Sequence, residues 1–143
     1  MTQPKARLLL IDDDQAFTKQ LKTILEQAGA YEICEEHQGK YALITAKAFC
    51  PELIFLDVMM PDLDGGQVGA QLRADPALQR VPIVFITGIL SKDEVAPQGG
   101  AIGGYPFLAK PISLEQIFDC LDRYLGNRRT SISPLPPPVK DSV

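Results

Sequence analysis

Residues 53–61 read LIFLDVMMP, and the fold turns on how that stretch is understood. Four apolar residues run directly into Asp57, and apolar residues resume after it. The run does not alternate with polar residues, so it suits a strand covered on both faces, as in a parallel sheet. An ionised carboxylate is costly to bury without a partner. Asp57 therefore belongs at the end of such a strand, where the backbone is covered and the side-chain tip reaches a crevice.

Working outward, the same pattern recurs. ARLLLI (6–11) is a short apolar run that stops at Asp12-Asp13-Asp14, and PIVFIT (82–87) is another, with its proline at the start where a strand tolerates one. YPFLA (105–109) and the more polar YEIC (31–34) complete a set of five strands. Between them lie helical patterns. Asp14 is placed to cap a helix whose apolar stripe is Phe17, Leu21, Ile24, Leu25 and Ala28, ended by Gly29. Residues 40–49 form a second helix, stopped by Pro51, and 65–74 a third, weakened by Gly65, Gly66 and Gly69. MPDLDGG (60–66) supplies a turn-rich loop, in which Asp62 and Asp64 serve the turn and the next helix start. The stretch SKDEVAPQGGAIGG (91–104) holds at most a short helix over 91–96, because Pro97 and the later glycines break it. Ser113 and Gln116 form a capping box that opens a strong final helix with the stripe Leu114, Ile117, Phe118, Leu121 and Leu125.

Strands alternating with helices predict an α/β fold, a doubly wound parallel sheet with helices on both faces. Residues 1–125 read as one domain, and 126–143, GNRRTSISPLPPPVKDSV, as a proline-rich flexible tail or linker. A chain of 143 residues suits one such core, and 45% hydrophobic with 22% charged residues is ordinary for a globular protein. The net charge of −4 gives no footprint for direct nucleic-acid binding. No stretch is long and apolar enough for a membrane span, and the first residues are no signal peptide. Three widely spaced cysteines, Cys34, Cys50 and Cys120, fit neither a disulfide framework nor a zinc site. They read as free thiols of a cytoplasmic protein. The single histidine, His37, argues against a histidine-rich metal site.

In a doubly wound sheet, ligands bind at the carboxyl ends of the strands. Here those ends carry Asp12-Asp13-Asp14, Asp57, Thr87 and Lys110. Clustered carboxylates raise one another's pKa, and a hard divalent cation with oxygen ligands relieves the repulsion, which suits Mg²⁺. A lysine and a hydroxyl complete the equipment for phosphoryl transfer, with Asp57 as the attacking carboxylate.

These residues resemble the receiver domains of two-component response regulators. The resemblance rests on LLLIDDD, PELIFLDVMMPDLDG, VPIVFITG and FLAKPI, in that order, and covers roughly residues 5–125. It implies a flavodoxin-like sheet of five parallel strands in the order 2-1-3-4-5. It implies that Asp12 and Asp13 are the acidic pair, with Asp13 the more direct Mg²⁺ ligand. Asp57 would be the phosphoacceptor and a metal ligand, and the Met59 carbonyl would complete the protein's share of the metal shell. Thr87 would be the switch hydroxyl, Lys110 its phosphoryl-binding partner before a cis Lys110–Pro111 bond, and Phe107 the switch aromatic, with Tyr105 near enough to share that role. The phosphoryl donor would be a phosphohistidine on a sensor histidine kinase or phosphotransfer protein. The downstream partner is not named by the sequence, and homodimerisation is left open.

Two other readings stand beside this one. A haloacid-dehalogenase-type phosphatase would use Asp12 and Asp14, but it needs a further acidic strand end after the lysine and gives Asp57 no role. A receiver-like binding module that works without phosphorylation would fit the glycine- and proline-rich 91–104 stretch.

Overall fold

In a computed structural model of the chain, residues 4–88, 101–102 and 105–126 are described. Six strands, four α-helices and one short 3₁₀ turn occur among them. In chain order they are β1 (Ala6–Ile11), α1 (Gln15–Gln27), β2 (Tyr31–Glu36), a 3₁₀ turn (Gly39–Tyr41), α2 (Ala42–Phe49), β3 (Leu53–Asp57), α3 (Gly65–Ala74), β4 (Ile83–Thr87), β5 (Ala101–Ile102), β6 (Tyr105–Ala109) and α4 (Leu114–Leu125). The sheet order is β2-β1-β3-β4-β6-β5. All pairings are parallel except that of β5 with β6. The five expected strands therefore stand in the expected order 2-1-3-4-5. The added β5 is two residues long and lies antiparallel on the outer edge of β6. It falls inside the stretch whose glycines and prolines mask any strand period. The short helix expected over 91–96 and the tail at 127–143 lie outside the described residues.

The unbroken apolar strands feed two cores, one on each face. Leu8, Leu10, Leu53, Phe55, Val84 and Ile86 pack with α1 and α4. Leu9, Ile11, Ile54, Leu56, Ile83 and Phe85 pack with α2 and α3. This is strand alternation applied to a sheet whose central strands are covered on both faces. All five positions of β3 are buried.

Helix starts follow the side chains that can satisfy free backbone N–H groups. Asp14 caps α1 by accepting from the Phe17 N–H, and Ser113 with Gln116 closes a reciprocal box on α4. Asp64 and Gln67 form a second box on α3. Asp62 instead turns to the 3₁₀ turn, accepting from the Gly39 and Lys40 N–H groups at 3.1 and 2.8 Å. Those bonds hold its carboxyl below the ordinary value, the Lys40 bond most strongly.

The α1 stripe differs from its apolar reading. Ile24 is only partly buried, whereas Thr18 is fully buried. The Thr18 hydroxyl donates to Glu35 Oε1 at 2.6 Å, and His37 Nε2 lies 3.2 Å from the same oxygen. These partners on and beside β2 make a polar residue tolerable there.

The glycines of α3 do not break it. Gly69 is buried against the sheet, and a Cβ there would meet Phe85 and Leu56 at 3.7 and 3.8 Å, ordinary contact distances. Gly69→Ala is expected to raise stability by about 0.5–1 kcal/mol, since helix propensity improves without a clash. A denaturant titration showing a lower midpoint would contradict this.

Candidate functional site

The carboxyl ends of the strands form one rim. β1 leads into Asp12, where the backbone N–H bonds the Glu36 carbonyl at the end of β2. β3 ends at Asp57, and the Val58 N–H reaches back to Ile86 of β4. β4 ends at Thr87, whose carbonyl accepts from the Lys110 N–H at 2.7 Å. With the parallel pairing of β1 and β3, which runs up to Ile11 opposite Leu56, the main chain ties the five strand ends together before any side chain is considered.

Asp12 and Asp57 are buried, and Asp13 is exposed. One carboxylate oxygen from each lies within 4.8 Å of the others, a spacing that a single metal ion can bridge. Asp12 Oδ1 accepts from the Asp14 N–H at 2.9 Å, which orients the carboxylate. Asp12 Oδ2 pairs with Lys110 Nζ at 2.9 Å. Asp57 Oδ1 accepts from the Met59 N–H at 3.3 Å. Met59 itself is exposed.

The Asp57 carboxyl is pushed up to about 7. Burial is the main cause, followed by the charge of Asp12 and a side-chain hydrogen bond with Asp13; the Met59 N–H and Lys110 act in the opposite sense. An acid raised by burial and by the acids beside it is the donor set a divalent cation would relieve. Asp12, Asp13 and Asp57 thus fit Mg²⁺ by charge, by hardness of the oxygen ligands and by spacing.

Thr87 is buried at the end of β4. By strand alternation it follows Ile83 and Phe85, on the α2/α3 side of the sheet. Asp57 follows Leu53 and Phe55, on the side of α1. Phe107 is half-buried and packs against the core that holds Phe85 and Ile11. It pairs in register with Phe85. Tyr105 contributes backbone to β6, and its side chain lies outside the described residues. The Lys110–Pro111 peptide bond is cis.

Three residues do more at the rim than the part assigned to them from the sequence. Asp14, read as a cap, also brings Oδ2 to 3.8 Å from Lys110 Nζ. Phe17, read as core, places its ring centroid 4.2 Å from the same nitrogen. Gly65, read as a weak helix residue, packs against the backbone of Asp57 itself.

A family model described as "Response regulator receiver domain" matches residues 8–122. The chain is 37% identical over 113 residues to the response regulator PleD of Caulobacter vibrioides, covering 79% of this chain and 24% of PleD. It is 29% identical over 126 residues to the polar-differentiation response regulator DivK of Brucella anthropi, covering 87% of this chain and 98% of DivK. The chain thus spans about a quarter of the first relative and nearly all of the second. Among solved structures, the chemotaxis protein CheY4 of Vibrio cholerae superposes with a TM-score of 0.72 at 28% identity, covering 85% of this chain and 99% of that one. The receiver domain of the sensor histidine kinase PA1611 of Pseudomonas aeruginosa, with a magnesium ion coordinated in its active-site cleft, superposes with a TM-score of 0.70 at 26% identity, covering 85% and 98%.

Proposed function

Because the chain belongs to the response regulator receiver domains of two-component signalling, we propose that it is a phospho-switch whose acceptor is Asp57. A carboxylate oxygen of Asp57 attacks the phosphorus of a phosphohistidine on a sensor histidine kinase or phosphotransfer protein. The O–P bond forms as the P–N bond breaks. The electron pair stays on the imidazole nitrogen, which takes a proton from solvent. Asp12, Asp13, Asp57 and the Met59 carbonyl would hold Mg²⁺. When bound, it would neutralise charge on the transferred phosphoryl oxygens. The observation that carries this reading is the gathering of Asp57 with Asp12, Asp13 and the Lys110 ammonium at one rim.

Lys110 then pairs with the new phosphoryl group, which brings negative charge and strong acceptor oxygens. The Thr87 hydroxyl, on the opposite parity of the sheet, turns toward it. Phe107, beside Phe85 and half-buried, is free to change packing as the end of β4 moves, with Tyr105 sharing that role. The outcome is a population shift toward a state with different partner affinity, bounded by how differently the phosphoryl group contacts the two states. The protein works as a signalling module of the cytoplasm, with residues 1–125 as the receiver and 126–143 as tail or linker. A phosphatase built on Asp12 and Asp14 is disfavoured, because among the described residues after Lys110 there is α4 and no acidic strand end. The residue set Asp12, Asp13, Asp57, Thr87 and Lys110 argues against a module that works without phosphorylation.

Incubation with phosphoramidate and Mg²⁺ should add one phosphoryl group per chain by intact-mass spectrometry, removed by hydroxylamine. No adduct with Mg²⁺ present would overturn the reading.

A further inference from the structure

We propose that Phe17 is the positioning residue for Lys110, an inference that rests on Lys110 acting as the phosphoryl partner. The N-terminus of a helix carries partial positive charge and repels cations. Yet the Lys110 ammonium lies against the first turn of α1, a helix of 13 residues. Three groups hold it there. Asp12 Oδ2 is 2.9 Å away, Asp14 Oδ2 is 3.8 Å away, and the Phe17 ring centroid is 4.2 Å away. The two carboxylates give attraction. The ring gives a surface: its negative face attracts the ammonium and blocks the side on which the long lysine stem would otherwise swing.

Placement of the ring follows from the helix cap. Asp14 Oδ1 accepts the Phe17 N–H at 3.1 Å, so the residue that caps α1 also fixes the backbone of the residue beneath Lys110. Asp14 and Phe17 form a single clamp set by the first turn of α1. Phe17 is itself buried in the α1/α4 core, so the platform is rigid. An ammonium already held at the crevice needs little rearrangement when phosphoryl charge develops, and preorganised charge is what catalyses this class of reaction.

The first test needs no variant. In proton NMR spectra of the wild-type chain, the Lys110 εCH₂ resonances should be displaced upfield by the ring current of Phe17. Unshifted resonances would overturn the proposal. In Phe17→Leu, which stays apolar, the displacement should vanish and phosphoramidate labelling should slow roughly three- to tenfold. Phe17→Tyr should keep both properties. In a Lys110→Ala background, Phe17→Leu should cause no further slowing, because the ring acts through the lysine. An equal slowing in that background would reduce Phe17 to a core residue and overturn the proposal. Should Lys110→Ala alone label at the wild-type rate, the role of Lys110 in phosphoryl transfer fails, while the NMR displacement still decides where the ring holds it.

Discussion

Asp57→Asn is expected to reduce phosphoryl labelling to background and, in metal-free buffer at neutral pH, to make the protein more stable than the wild type. Both effects come from one carboxylate. As the proposed nucleophile, Asp57 has no substitute: an amide oxygen does not form the acyl phosphate. As a buried acid beside Asp12, it costs stability when ionised. Its carboxyl is raised from 3.8 to about 7. Below pH 3.8 it is protonated in the folded and unfolded states alike, and contributes nothing. As pH rises toward 7 the unfolded chain releases the proton while the folded chain keeps it, so stability falls across that window and stays low above it. Asn removes this loss. The gain at neutral pH should be about 1–3 kcal/mol, less than the whole shift implies because Asp57 keeps some exposure beside the exposed Asp13. Saturating Mg²⁺ should stabilise the wild type and flatten its pH slope, with a smaller effect on the variant. Thermal melts across pH, with and without Mg²⁺, check this. A variant less stable than the wild type at neutral pH without metal would contradict the electrostatic account.

The second large effect is expected at Gly65. A Cβ there would sit 2.5 Å from the Asp57 carbonyl oxygen and 2.8 Å from Val58 Cα. Both are backbone atoms at the end of β3. Neither can retreat by rotating a side chain, and the Gly65 N–H already bonds the Val58 carbonyl at 2.7 Å. Gly65→Ala must therefore separate α3 from the strand end that carries Asp57. The expected cost is about 2–3 kcal/mol, with slower labelling because the nucleophile moves with its backbone. Gly69→Ala, four residues along the same helix, is the control that should leave labelling unchanged. Equal stability of Gly65→Ala and the wild type in a denaturant titration would show that the contact relaxes at no cost.

How much of this was legible depends on the kind of signal. Strands β1, β3 and β4 are continuous apolar runs, and the N-terminal caps at Asp14 and Ser113 are local patterns, so spacing alone locates them. The rim acids were legible because each interrupts an apolar run, and parallel strands bring their ends together. β5 was not, since two residues among glycines carry no period, and its pairing depends only on the neighbouring edge of β6. Thr18 was missed because its burial depends on Glu35 and His37, about twenty residues onward. The meaning of Gly65 was inverted: propensity marks it as a weak helix residue, whereas tertiary contact makes a missing side chain the requirement. Phe17 belongs to a helical stripe where an aromatic ring is ordinary, and only the three-dimensional position of Lys110 gives it a second role.

The most direct measurement is to phosphorylate the wild-type chain with phosphoramidate and Mg²⁺, reduce the product with borohydride, and map the peptides by mass spectrometry. Reduction of an acyl phosphate leaves homoserine in place of aspartate. The account predicts homoserine at position 57 alone. Homoserine at position 12 or 13, or at no position in a chain that carries the phosphoryl group, would contradict it.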